Sequence, residues 1–553
     1  MSSLQLLPIA GGLLCHAVFK RFEPNHPSLL FVAFIVAPVA LTISNSFAMN
    51  APLTILSVAS FWAVYISTIL LSISTYRLSP FHPLAQYPGP VICKLTKLWP
   101  AYISWTGKQH LYYDSLHRTY GDVVRIGPNE LSIRKSSAIS PLLGQNELPK
   151  GPMWDGRLAE GGIIRSMIGV RDVSEHSRRR RPWSRAFSIS ALKHYEAMIV
   201  RRAYQLKSRL EEQKGTIDLS AWMGYFAYDF MSDMAFGGGS EMMRDGDEGG
   251  FWHLLDDVVP FLTVLGHLPW LTKMVTYVPV GAAGRQRFRA LAIGCAKKRI
   301  SEGSMSKDIF YYLNNEDGHD AAPRSFAEVL SDGGLAIIAG SDTTATTLTS
   351  IFGMLLSNPD AHKRLLDEID AHFPVGEDIM NPAVHARMPY LNAVINEALR
   401  MFPPVPTNVQ RANPQDAPAR VTGSVVIPAG TSVITPPYAL HRDPQNFSEP
   451  EVFIPERWLD PELQEKLGFS SKGMPSFIHD SNAFIPFSYG PSNCAGKALA
   501  YQEMRMVLCL LVRSFDMKLV SSVTEWVDSL EDYFLLSKKP LMVEVSPRAE
   551  SVG

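Results

Sequence analysis

The sequence predicts a mainly α-helical protein with a small β region, preceded by N-terminal transmembrane helices. Three observations carry that class. Apolar, nearly charge-free runs fill the first 75 residues, a proline-rich connector follows them, and the remainder is dominated by helical periodicity with only short alternating stretches. Residues 1–75 are therefore read as a membrane anchor, 76–90 as a hinge and 91–553 as the main domain.

The anchor is built from three apolar runs. Leu4 to Phe19 is short and stops at Lys20-Arg21, and it reads as a third span or as an interfacial segment. Leu29 to Met49 and Leu53 to Ser74 contain no charged side chain, and about twenty such residues suffice to cross a bilayer. A cleaved signal peptide would explain the first run alone. Because basic residues favour the cytoplasmic side, Lys20, Arg21 and Arg77 place the large domain there, with Asn50-Ala51-Pro52 on the opposite side.

The connector Tyr76 to Pro90 holds four prolines in fifteen residues, which predicts a stiff, extended hinge. Beyond it, Asp122 to Arg134 alternates like a hairpin around Gly127-Pro128-Asn129, and Ala419 to Val433 reads as another small β unit. The longest helical candidate is Phe326 to Leu356, about 45 Å long at 1.5 Å per residue. Phe251 to Val280 is apolar enough to be either a core helix pair or a lid that dips into the membrane.

Composition excludes several classes. The net charge of −1 argues against a polyanion binder, so no nucleic-acid partner is expected. Five cysteines, an odd number without a CxxC pair, suggest neither a disulfide framework nor a zinc site. Cys494 stands apart. It follows a Gly/Pro-rich loop, Phe487-Ser488-Tyr489-Gly490-Pro491-Ser492-Asn493, and precedes a helix of Ala and Leu. A sulfur at a helix N-terminus is favoured as thiolate, and Gly490 and Gly496 allow the backbone to approach a flat cofactor.

This loop resembles that of the cytochrome P-450 family, Phe-x-x-Gly-x-Arg-x-Cys-x-Gly, with Phe487, Gly490, Cys494 and Gly496 in place and Ser492 at the arginine position. The resemblance covers roughly residues 80 to 545 and implies the cytochrome P-450 fold. It implies haem b as cofactor with Cys494 as the metal ligand, a thiolate that pushes electron density onto iron. Its missing arginine would have paired with a haem propionate. His176 and Arg180, four apart on a helix, and Arg411 match the family's other propionate partners, so Arg180 and Arg411 are expected to take over the role of that arginine.

Ala339-Gly340-Ser341-Asp342-Thr343-Thr344 looks like the family's oxygen-activation segment, with Asp342 and Thr343 as a proton-relaying acid–alcohol pair. Read without Cys494, the same pair is a helix-kinking feature. Glu397, Arg400 and Arg457 resemble the family's buried ion triad, a structural element. The remaining arginines of Arg178-Arg179-Arg180-Arg181, with Arg185, Lys497 and Arg505, suggest a basic docking face for an acidic reductase.

The resemblance implies a monooxygenase that inserts one oxygen atom from dioxygen into a lipophilic molecule, whether terpenoid, steroid, fatty acid or aromatic. Without a GxGxxG or flavin motif in the chain, electrons from NADPH must come through a partner reductase, with cytochrome b5 as a second donor. The expected location is the endoplasmic reticulum membrane with the main domain cytosolic, in fungal secondary metabolism or xenobiotic oxidation. Substrate contacts are expected near 150–170, 250–285, the start of the long helix and 404–410. The alternatives are a haem-thiolate isomerase or dehydratase, and a non-catalytic haem or steroid-binding membrane protein.

Overall fold

The computed structural model describes residues 6–22, 26–50, 52–157, 164–248, 250–275, 282–303, 307–322, 324–374, 376–407, 409–469 and 477–548, with backbone alone at 251–257, 273, 275, 282–289 and 291–292. Three helices lead the chain. Pro27–Ala48 and Ile55–Leu78 are long and apolar enough to cross a membrane. The first, Leu6–Phe22, is 17 residues long and packs along the third through Gly11 and Gly12, where a Cβ on Gly12 would lie 2.9 Å from the Tyr65 carbonyl oxygen. Lys20 Nζ sits 3.7 Å from the centre of the Tyr76 ring, so Lys20 and Arg77 lie at the same end of this group.

The connector differs from the extended hinge expected. The third helix continues to Leu78, and the prolines that come after it shape a run of turns docked on the sheet. Tyr87 Oη donates to the Val426 carbonyl and accepts from its amide, both at 2.8 Å, and the Arg125 amide donates to the Pro88 carbonyl at 2.7 Å. Gly89 (φ 154°) is required here, because a Cβ would come within 2.3 Å of the Arg125 carbonyl oxygen. Buried Arg125 also donates to the Arg77 carbonyl at 3.1 Å. The N-terminal helices and the main domain are thus clasped by hydrogen bonds where composition suggested a stiff, extended hinge.

The main domain is mostly helical. Its long helix runs Phe326–Ser357 and starts in a capping box, with Ser325 and Glu328 each serving the other's backbone amide. Gly333 and Gly340 let the helix Leu219–Phe236 approach it: a Cβ on Gly340 would meet Met231 Sδ at 2.5 Å, and one on Gly333 would meet Phe236 at 2.9 Å. These glycines, one heptad apart, set the helix spacing that leaves room on the opposite face.

The expected hairpin forms from Val123–Gly127 and Glu130–Ile133, paired antiparallel from Val123↔Ile133. It extends into a four-stranded sheet by a parallel pairing with Ser432–Ile434, which in turn pairs with Arg411–Ala412. The second β unit therefore divides: Arg420–Thr422 and Val425–Ile427 form their own hairpin around Gly423, while Ser432–Ile434 joins the larger sheet. Asn446, the first residue of a formal Asn446-Phe447-Ser448 glycosylation sequon, is buried and donates to the Leu440 carbonyl at 2.9 Å, so its amide makes a structural bond.

The apolar stretch after Phe251 becomes two helices, Phe251–His267 and Pro269–Val275; residues 276–280 of the expected stretch lie outside the described residues. Leu265 and Leu268 enter the core, while Trp270 is 44% exposed. Both readings of this stretch thus have residues that fit them.

Candidate active site

A cavity of about 660 Å³ lies between the long helix and the helix Lys497–Ser514 just beyond Cys494. Ala339, Gly340 and Thr343 line one side, and Phe487, Cys494, Gly496 and Ala500 line the other. Lys150, His176, Arg180 and Arg411 also line it. One thiol between two apolar faces, with a cationic edge, fits haem b: a flat apolar ring, an iron that takes a soft ligand, and two carboxylates.

The loop places Cys494 by its own backbone. The Cys494 amide donates to the Phe487 carbonyl at 2.9 Å, closing the turn. Gly490 (φ 74°) is obligatory, because a Cβ would lie 1.9 Å from the Leu143 carbonyl oxygen. At Gly496 φ is negative, and a Cβ would make only ordinary contact with Phe187 among protein atoms, at 3.6 Å. Cys494 is open to the cavity but deep in the protein. Burial pushes its thiol up, against the Gly496 amide and the charges of Arg180 and Lys497. The helix N-terminus alone does not make a thiolate here; coordination to a metal deprotonates such a thiol outright.

The cationic edge departs from expectation. Arg411 forms an ion pair with Glu147 at 3.1 Å and donates to the Leu148 carbonyl at 3.0 Å. Ser492, at the arginine position, donates to the other Glu147 oxygen at 2.6 Å. Arg411 is thus partly neutralised, which limits its capacity to replace the missing arginine. Arg180 donates to the Asn493 carbonyl (2.6 Å) and to its side-chain oxygen (3.0 Å), holding the residue before Cys494. Burial, with Lys150, Arg180 and Arg411 nearby, lowers His176 to about 3, leaving it a neutral imidazole. Lys150, which motif reading missed, donates to the Met167 and Ile168 carbonyls, and its backbone bridges to Arg411. Burial, ahead of the neighbouring cations, brings it down to about 7, a value that an anionic group would raise.

Asp342 and Thr343 part company. Thr343 lines the cavity and donates its hydroxyl to the Ala339 carbonyl at 2.6 Å. Asp342 is held by Lys538, with Nζ 2.7 Å from Oδ1, and is not among the cavity-lining residues. The basic docking face also shrinks. Arg179 is buried, Arg178 pairs with Glu175 and Glu328, Arg185 pairs with Asp317 and Asp320, and Arg505 donates to Asn392. Arg181 and Lys497 remain exposed.

Parts of each stretch expected to contact substrate line the cavity. Trp154, Arg157, Ile168, Val258, Leu262, Ala327, Leu330, Val405 and Val409 all line the cavity; residues 158–163, 276–281 and 408 lie outside the described residues. Two buried carboxyls were not foreseen. Glu503 lines the cavity and is pushed well up by burial. Asp532 lies beside the turn residue Phe534, and burial pushes it up to about 7, opposed by the Phe534 amide and by Arg157. A carboxyl raised above its unfolded value lowers stability as pH rises from about 4 to about 7, with no further change above. Asp532→Asn is therefore expected to remove that part of the pH slope and to raise the melting temperature most near neutrality. Thermal unfolding of both proteins across this range checks it; parallel curves would contradict it.

The sequence model of the Cytochrome P450 family matches residues 86–545. The chain belongs to the cytochrome P450 family, oxidoreductases that use haem b with a cysteine thiolate ligand and electrons delivered from NADPH by redox partners. Among its relatives, Cytochrome P450 67 of Uromyces fabae is 32% identical over 97% of this chain and 98% of the relative. Cytochrome P450 monooxygenase FCK2 of Fusarium pseudograminearum is 31% identical over 97% and 96%. Tryprostatin B 6-hydroxylase of Aspergillus fumigatus is 30% identical over 88% and 84%.

Proposed function

We propose that this protein is a membrane-anchored monooxygenase that transfers one oxygen atom from dioxygen to a lipophilic small molecule, with electrons from an NADPH-dependent reductase. The observation that carries the reading is a single thiol, Cys494, facing Thr343 across a largely apolar cavity with a cationic edge. When bound, haem would supply dioxygen activation; Cys494 would hold its iron, and Arg180, Lys150 and Arg411 would serve its propionates. Arg180 also fixes Asn493, and with it the approach of Cys494.

Thr343 presents the hydroxyl of the acid–alcohol pair at the cavity wall, so it is the residue that positions a proton there. Asp342, drawn to Lys538, would have to leave that ion pair and take a proton from solvent before it could hand one inward to Thr343. Two long apolar helices and basic residues at one end support an anchor in the endoplasmic reticulum membrane with the active domain cytosolic. Relatives named as monooxygenases and a hydroxylase of a fungal metabolite support a place in secondary metabolism. Arg181 and Lys497 are the exposed cations left to meet an acidic reductase, with cytochrome b5 a second candidate donor.

The test is turnover in reductase-containing microsomes with NADPH and isotope-labelled dioxygen, followed by mass spectrometry. One labelled oxygen per product is expected. Thr343→Ala is expected to lower product per NADPH by roughly a hundredfold while NADPH oxidation continues. Unlabelled rearranged product, or turnover without NADPH, would favour an isomerase and overturn the proposal.

A further inference from the structure

The cavity wall is largely apolar, and two of its polar places stand out. One is the cationic edge near Cys494. The other is a corner formed by Trp154, Arg157 and Phe534. Trp154 and Arg157 lie three apart on the short helix Met153–Arg157 and so share a face. Both meet the Phe534 ring: the Arg157 guanidinium carbon is 4.4 Å from its centre, and the Trp154 ring stands edge-on at 5.5 Å. Phe534 reaches this position from a one-residue turn with φ 80°, between strands that pair Tyr533 with Leu535.

Both polar groups in the corner are donors. Trp154 is 2% exposed and its Nε1–H has no hydrogen-bond partner among the described residues. Arg157 spends one N–H on Thr263 Oγ1 at 3.0 Å and forms no ion pair with a carboxylate among the described residues. Asp532 attracts it through space without pairing with it. The other cations of the cavity are engaged: Arg165 pairs with Asp155, Arg411 with Glu147, Arg180 holds Asn493, and Lys150 donates to the Met167 and Ile168 carbonyls. A half-buried guanidinium with N–H groups not spent on a carboxylate, beside an unpartnered indole N–H, is complementary to an acceptor-only, planar group, and a carboxylate accepts from arginine in a bidentate manner.

Resting on the monooxygenase reading, we infer that Arg157 and Trp154 bind the carboxylate of a lipophilic acid substrate, a fatty acid or a terpenoid acid, and thereby set which carbon faces Thr343. A haem propionate is the other carboxylate that could occupy this cavity. It has its own cations around the Cys494 loop, and the two sources separate experimentally.

The test uses the full-length ferric holoprotein in detergent, titrated with a long-chain fatty acid, a diterpenoid acid, and the methyl ester of each, with the haem spin-state shift as readout. The acids are expected to bind about tenfold to a hundredfold tighter than their esters, the range of a charge-assisted hydrogen bond. Arg157→Gln should abolish that preference and leave ester binding in place. Arg157→Lys should keep part of it, and Trp154→Phe should reduce it by a smaller factor. The carbon monoxide spectrum of each reduced variant reports that haem and thiolate are intact. Equal binding of acid and ester by the wild type overturns the inference. So does a loss of haem retention in Arg157→Gln with the acid preference kept, which would assign the corner to a propionate. A wild type without the thiolate signature that still prefers acids by calorimetry would remove the monooxygenase reading and leave the carboxylate site standing.

Discussion

Cys494→Ala, produced as the full-length chain, is expected to show no thiolate signature in its reduced carbon monoxide spectrum and no oxygenated product. Among the described residues, Cys494 is the only thiol lining the cavity. Cys93 and Cys509 are buried elsewhere, and Cys15 lies in the first helix. No neighbouring thiol can therefore take its place. Product formation should fall at least about a thousandfold, equivalent to about 4 kcal/mol of barrier. Cys494→His gives the experiment its second arm, because imidazole also ligates iron. It is expected to restore haem content but neither the thiolate signature nor turnover, since only the thiolate supplies the electron push. Oxygenated product from Cys494→Ala at wild-type rates would sink the assignment.

The residues that sequence placed correctly are those whose role depends on local chain geometry. The Phe487-to-Gly496 loop is one continuous turn before a helix, so its spacing is visible in the chain. The long helix announces itself through its Ser325/Glu328 capping box and a proline just past its end. The hairpin at Val123–Ile133 is likewise a local pattern, turned at Pro128-Asn129.

The sequence hid partners far apart in the chain. Nothing near Asp342 indicates Lys538, 196 positions away, and nothing near Ser492 indicates Glu147. The docked connector is a similar case: four prolines specify stiffness, but not that Tyr87 clasps Val426. Trp154 and Arg157 fell within a stretch expected to face substrate, yet only the turn at Phe534 brings them into one corner. The arginine run misled for a related reason. Charge was read as surface, while acidic partners on other elements had already engaged Arg178, Arg179 and Arg185.

Glu397→Ala is expected to yield little or no folded holoprotein, although Glu397 is not among the residues lining the Cys494 cavity. Its carboxylate accepts from Arg400 Nη2 (2.8 Å) and Nε (2.9 Å), from Arg457 Nε (3.1 Å), from the Ile454 amide (2.9 Å) and from Trp458 Nε1 (2.9 Å). All three charged side chains have zero exposure. Removing the anion strands two buried guanidinium groups, a cost of about 3–5 kcal/mol against a total stability of about 5–15 kcal/mol. The damage reaches the cysteine loop by a defined route. Arg400 donates to the His441 carbonyl at 3.0 Å, His441 Nδ1–H donates to the Arg400 carbonyl at 3.1 Å, and His441 Nε2 accepts from the Ile485 amide at 3.0 Å, at the start of the loop. Burial lowers His441 to about 3, so the ring stays neutral and can act as donor and acceptor at once. Burial raises Glu397, but Arg400 and Arg457 outweigh it and hold the carboxyl below its ordinary value. Its stabilising contribution is therefore complete above the usual carboxylate range and disappears as pH falls below it. Glu397→Gln, which keeps the shape and one acceptor oxygen, should recover part of the folded yield but none of that acid sensitivity. Haem content per purified protein and thermal melts across pH measure both effects. A Glu397→Ala protein that accumulates with wild-type haem content and melting temperature would show that the triad does not hold the loop in place.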